Sequence, residues 1–113
     1  MKIIDSKISI DEIKKMADKM FGDLVKVVVD IDKEIMAVNG ELHSDEEALL
    51  LEKNSKQENL WGINIYPEIK SNDWIEFDSM INLRPSLNNF SRSIDNPDIR
   101  KKIIKIVNKL IAR

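Results

Sequence analysis

LWGINIYPEIKSNDWIEFDSMINLRP, residues 60–85, holds two near copies of one motif: GINIYP at 62–67 and MINLRP at 80–85, eighteen positions apart. Each reads Ile-Asn-aliphatic-X-Pro. How this stretch is read decides the sheet. In its first half Trp61, Ile63 and Ile65 fall on one side of an alternation, and Asn64 and Tyr66 on the other. In its second half Ile75, Phe77, Ile81 and Leu83 share one side. Glu76, Asp78, Asn82 and Arg84 share the other, joined by Met80. Successive side chains of a strand point to opposite faces. The pattern therefore predicts two strands, over residues 60–66 and 74–83. Each is stopped by a proline, which cannot donate to a ladder and belongs at an edge or rim. Paired as a hairpin, they would place both asparagines on one polar face.

Upstream, residues 24–30 are rich in valine and predict a strand, since branched side chains suit a pleated surface. Ile31-Asp32-Lys33-Glu34 reads as its turn, without a glycine, and residues 35–42 as the return strand. Ser9 opens the first helix as a capping box with Glu12, and Gly22-Asp23 closes it. Ser44-Asp45-Glu46-Glu47 is a second capping-box match. It predicts a short helix through residues 48–51, with a strand there as the alternative. Residues 53–59 are polar and form a loop. Asn96-Pro97-Asp98 is a helix start: cap, proline at the first position, acid in the first turn. The last helix runs to the end, with Ile99, Ile103, Ile106, Val107, Leu110 and Ile111 as its buried stripe.

The order α-β-β-α-β-β-α predicts an α+β fold. Its expected form is a two-layer, four-stranded, mostly antiparallel sheet with helices on one face. The length of 113 residues suits a single domain over 1–113. At 42% apolar and 34% charged, the chain can build an ordinary core without disorder. A net charge of −2 asks for neither nucleic acid nor a membrane surface. With no cysteine, disulfides, thiolate metal sites and a cysteine nucleophile are excluded. No run is long enough to span a bilayer, and residues 1–5 lack the apolar run of a signal peptide. The expectation is a cytoplasmic protein.

Function is read first from the polar face. Amides offer two donors and an acceptor, and arginine a planar fork for carboxylate or phosphate. Asn64, Tyr66, Asn82 and Arg84, with Ser86, Asn89 and Arg92 from the following loop, form a candidate ligand site. In it Arg84 and Arg92 would clasp an anionic small molecule or a protein partner. Two plainer readings stand beside it. The face is the solvent side of a half-wet sheet, or the asparagines bond to each other or to loop backbone and fix register.

Glu41, His43 and Asp45 offer nitrogen and oxygen to a metal, or a general acid/base at His43. The set lacks the second His or Cys that most zinc sites carry. The last helix carries Arg100, Lys101, Lys102, Lys105, Lys109 and Arg113 with no acid after Asp98, a stripe able to meet phosphates. Cations near a helix C-terminus also simply complement its dipole. No P-loop, dinucleotide fingerprint, nucleophile elbow or HExxH is present, so no cofactor is implied. The leading expectation is a non-catalytic binding module, assembled as a homo-oligomer. A small enzyme using His43 and a nucleic-acid binder are the alternatives.

The stretches IMAVNGELH, LWGINIYP and WIEFDSMINLRPS resemble a family of short prokaryotic proteins described only as a domain of unknown function. The resemblance covers about residues 25–110, and its most specific pieces are residues 60–67 and 81–85. It implies no activity, cofactor or catalytic residue.

Overall fold

The computed structural model describes residues 1–113. Its central strand is the valine-rich β3 (Val25–Asp30). β4 (Ile35–Val38) pairs with β3 on one side and β5 (Leu60–Ile65) on the other, both antiparallel. β1 (Lys2–Ile4) lies outside β4 and the two-residue β6 (Ile75–Glu76) outside β5, giving the order β1-β4-β3-β5-β6. Branched valines hold β3 extended and place side chains on both faces, and both faces are covered.

On one face Val25, Val27 and Val29 join Met36, Val38, Trp61, Ile63 and Ile65. They pack against Ile13 and Ala17 of α1 (Ile10–Lys19) and against Ile103, Ile106, Val107 and Leu110 of α3 (Pro97–Leu110). Each such side chain contributes about 1.5–3 kcal/mol by leaving water. On the other face Val28, Ala37 and Leu60 pack under Leu50 of α2 (His43–Glu52). The fold is α+β, but helices lie on both faces rather than one.

Four further features differ from the sequence expectation. The sheet has five strands, and a second small sheet pairs β2 (Ile8–Ser9) with β7 (Ile111–Ala112) in parallel. The short Lys2–Ile4 segment is too brief to show alternation. The last helix stops at Leu110, because Ile111 leaves helical geometry at φ −106°, ψ 113° and pairs with Ile8 instead. The strand expected over 74–83 keeps only Ile75–Glu76, and Met80–Asn82 is a single 3-10 turn. The second capping box is not used. Leu42 is the N-cap of α2 and makes no side-chain cap, so Ser44 lies inside the first turn.

The two caps expected elsewhere are in place. Ser9 Oγ accepts from Glu12 N at 3.2 Å, and Asn96 Oδ1 accepts from Asp98 N at 2.8 Å. The glycine-free hairpin turn is organised by buried Asp30. Its Oδ1 accepts from Asp32 N and Lys33 N, each at 2.9 Å, and its Oδ2 accepts from Ser55 Oγ at 2.6 Å. One carboxylate thus shapes the turn and tethers the chain leaving α2.

Candidate functional site

The two asparagines of the repeat have separate positions. Asn64 is in β5, opposite Lys26 of β3 and Glu76 of β6. Its Nδ2 donates to Glu76 Oε1 at 2.9 Å and to the Asp78 carbonyl at 3.1 Å. Its Oδ1 is buried without a partner. Tyr66 Oη donates to the same Glu76 oxygen at 3.2 Å. Burial, and then the Glu76 charge, push the tyrosine pKa upward.

Asn82 is fully buried in its 3-10 turn. Its Oδ1 accepts from Gly62 N at 2.8 Å, and its Nδ2 donates to the carbonyls of Gly62 at 2.9 Å and Arg92 at 3.0 Å. The side-chain amide thus takes the place of a neighbouring strand's backbone. Two residues along the same edge, Arg84 Nη1 donates to the Leu60 carbonyl at 2.6 Å. The outer edge of β5 is completed by backbone at Asn64, by an amide at Gly62 and by a guanidinium at Leu60. Gly62 is required there, because a Cβ would lie 2.5 Å from Ser79 Cβ.

Arg84 also donates to the Gln57 carbonyl at 3.0 Å and to Glu47 Oε2 at 2.7 Å, with both side chains of this ion pair largely buried. Burial lowers its pKa and Glu47 opposes that shift. Arg84 and Ser86 line a cleft of about 300 Å³ with Gln57, Glu58 and Leu87. Asn89 is buried. It holds the carbonyls of Asn82, Ser91 and Ser93 through Nδ2 and the amide of Asp95 through Oδ1. Arg92 forms an exposed pair with Asp78, Nε to Oδ1 at 2.8 Å. The structure therefore groups Asn64 with Tyr66, Asn82 with Asn89, and Arg84 with Ser86. Arg92 lines a different cleft from Arg84.

That second cleft, about 160 Å³, is lined by Lys26, Leu42, His43, Ser44, Ser79, Met80, Ile81 and Arg92. It lies at the N-terminal end of α2, where the first amide donors have no intrahelical partner. His43 is in this first turn and not at a strand end, so it does not share a strand face with Glu41. Glu41 and Asp45 are exposed, and no group of three or more His, Cys, Asp or Glu side chains is placed to hold a metal ion. His43 Nε2 donates to the Ile63 carbonyl at 2.8 Å. Burial lowers its pKa; the Ile63 bond opposes this, Lys26 adds to it, and Asp78 and Arg92 act in opposite senses. Lys26 makes no ion pair. It lies half-buried, with Nζ 5.0 Å from the centre of the Phe21 ring. Ser79 Oγ accepts from Ile81 N at 3.3 Å, which leaves its proton free to donate.

Beneath α2 sits Glu46, fully buried and in no ion pair. Its Oε2 accepts from Gly40 N at 2.9 Å, while Oε1 has no partner. Burial pushes its carboxyl up to about 9; the Gly40 N–H, Lys26 and the N-terminal amine oppose this, and Asp45 adds to it. Glu46 is protonated at neutral pH. Sequence reasoning missed it, and the cleft around Lys26 and His43, because the buried residues of α2 are His43, Glu46 and Leu50. Two of the three look like surface residues. The spacing of three and four was legible; its polarity hid it.

No helix is long and apolar enough to cross a membrane. No curated protein and no solved structure matches the chain. The family described as protein of unknown function (DUF5674) matches residues 2–110, and the chain belongs to that family.

Proposed function

We propose that this member of the family is a non-catalytic module that binds a small anionic group in the cleft at the N-terminal end of α2. One observation carries the reading. Lys26, His43, Ser44, Ser79 and Arg92, from four segments of the chain, line one cleft beside uncapped helix amides. Lys26 is half-buried and has no carboxylate partner, so its ammonium is open to an anion in the cleft. Amides at a helix N-terminus add donors and a favourable field. Asp78 partly offsets Arg92, so Lys26 and the helix end supply the uncompensated positive potential.

Drug-sized ligands occupy pockets of about 300 Å³ or more. At about 160 Å³ the cleft suits a group of only a few heavy atoms. Leu42 and Met80, 53% and 61% exposed, give it an apolar rim. The larger cleft beside Arg84 is less suited to an anion, because Glu47 already neutralises the guanidinium and Glu58 is part of the lining.

Titration with inorganic phosphate or acetate at low ionic strength, followed by amide resonances, tests this. The first turn of α2 should respond, and Lys26→Gln should weaken binding at least tenfold. Equal affinity in wild type and Lys26→Gln would remove the reading. The homo-oligomer and cytoplasmic setting expected from the sequence belong with this proposal. β1 ends the sheet as an outer strand, and sedimentation by analytical ultracentrifugation reads the oligomeric state.

A second reading has one observation in its favour. The same cleft holds a neutral imidazole beside two hydroxyls, a set that suits a general base. His43→Asn abolishing turnover of an ester or phosphoester probe would support it over simple binding.

A further inference from the structure

His43 restricts which anion the cleft can take, on the premise that the cleft is the binding site proposed above. Its Nε2 lies 2.8 Å from the Ile63 carbonyl oxygen. A carbonyl only accepts, so Nε2 carries the proton. The other nitrogen of a neutral imidazole is then an acceptor. The side chain is only 9% exposed and lines the cleft, and Nδ1 has no hydrogen-bond partner in the protein. Nδ1 is also not among the side-chain atoms sealed from solvent, so it keeps some exposure on a residue that lines the cleft.

The neighbours favour the neutral ring. Desolvation outweighs the Ile63 bond, and Lys26 and Arg92 oppose a further positive charge, against the pull of Asp78. Around this acceptor the other groups donate: the Lys26 ammonium, the Arg92 fork, the hydroxyls of Ser44 and Ser79, and the first amides of α2. The cleft is lined largely by donors, with Nδ1 an acceptor that no protein group pairs.

We infer that the cleft selects an oxyanion bearing its own O–H next to the charge, as in hydrogen phosphate or a 2-hydroxycarboxylate, with that O–H donated to His43 Nδ1. The charged oxygens face Lys26, Arg92 and the helix amides. An anion of the same shape without the O–H leaves Nδ1 desolvated and unpaired. Leaving a site's buried polar group unpaired is the strongest discrimination a small pocket can make.

The test uses the wild-type chain labelled with nitrogen-15, at pH 7 and low salt. Hydrogen phosphate is compared with sulfate, and glycolate with acetate. The signals are the first-turn amides of α2 and the His43 ring nitrogens. The free protein should show the Nε2–H tautomer. In at least one pair, the O–H-bearing member should bind at least tenfold tighter than its partner. The discriminating pair tells a tetrahedral from a planar head group. Below the lowered His43 pKa a second proton occupies Nδ1, and the preference should vanish. Binding without preference in either pair, or an Nδ1–H tautomer, would overturn this inference while leaving the anion cleft in place. If no anion moves the first turn of α2, both the inference and the cleft reading fail.

Discussion

The Ile-Asn segments at 63–64 and 81–82 begin from the same dipeptide and end in different roles. Ile63-Asn64 lies in a strand paired on both sides, with β3 and β6 as neighbours. Ile81-Asn82 never joins the sheet as backbone. Its asparagine turns back and pairs with Gly62 through the side chain. The difference lies in what surrounds each segment. Val25 to Asp30 gives the first copy a full-length partner. The second copy meets only the last open edge of β5, where the Ser79 side chain is already against Gly62. Identical local preference is settled by which hydrogen-bonding groups are still unpaired nearby.

Substitutions at matched positions break this comparison most directly. Asn82→Ala should cost the most, about 3 kcal/mol, since it leaves the Gly62 N–H and C=O unpaired at a buried edge. Urea denaturation would register it as a lower midpoint with an unchanged slope. A loss below about 1 kcal/mol would mean that water replaces the amide easily. Arg84→Ala comes next, at about 2–3 kcal/mol, because the largely buried Glu47 and the Leu60 carbonyl lose their donor. Arg84→Lys should recover only part of that, as a point charge cannot reach three acceptors in a plane.

Glu46→Gln provides a contrast of opposite sign. The folded pKa of about 9 is above the ordinary 4.5, so the unfolded chain releases its proton first. The stability is fully present below pH 4.5 and declines as pH rises towards 9. The amide variant should therefore be more stable than wild type at pH 8, by up to about 5 kcal/mol, and no more stable at pH 4. Thermal melts across that range would show a flatter profile for the variant. The asparagine variants should shift the whole profile without tilting it. Asn64→Ala should have the smallest effect, about 1 kcal/mol or less. It loses two bonds to partly exposed acceptors but also removes an unpaired buried oxygen. A loss at Asn64 equal to that at Asn82 would erase the distinction between the two copies.

These contrasts also explain what was legible in the sequence. The valine strand, the serine and asparagine caps and the apolar stripe of α3 could be read because each signal is local and repeats with the element's own period. The end of the predicted fourth strand could not. Glu76, Asp78, Asn82 and Arg84 alternate as a strand does, but after Glu76 the pairing passes from backbone to side chains, and alternation does not record that change. The face of α2 was hidden for a related reason. His43 bonds a carbonyl of β5 through Nε2 and Glu46 an amide at Gly40 through Oε2, so two polar residues occupy positions where a periodicity search expects aliphatic ones. The cleft that His43 lines draws on segments far apart in the chain. No spacing rule links Lys26 to Arg92.

The side-chain completion of β5 also bears on solubility. An unpaired strand edge is a template on which another chain can add. Backbone can close such an edge only by extending the sheet, which creates a fresh edge one strand further out. Asn82 and Arg84 close it and offer the next chain no ladder to extend. The protein stops its sheet there with side chains, and losing Asn82 would expose a sticky edge, with fibrillar or amorphous aggregation following from it.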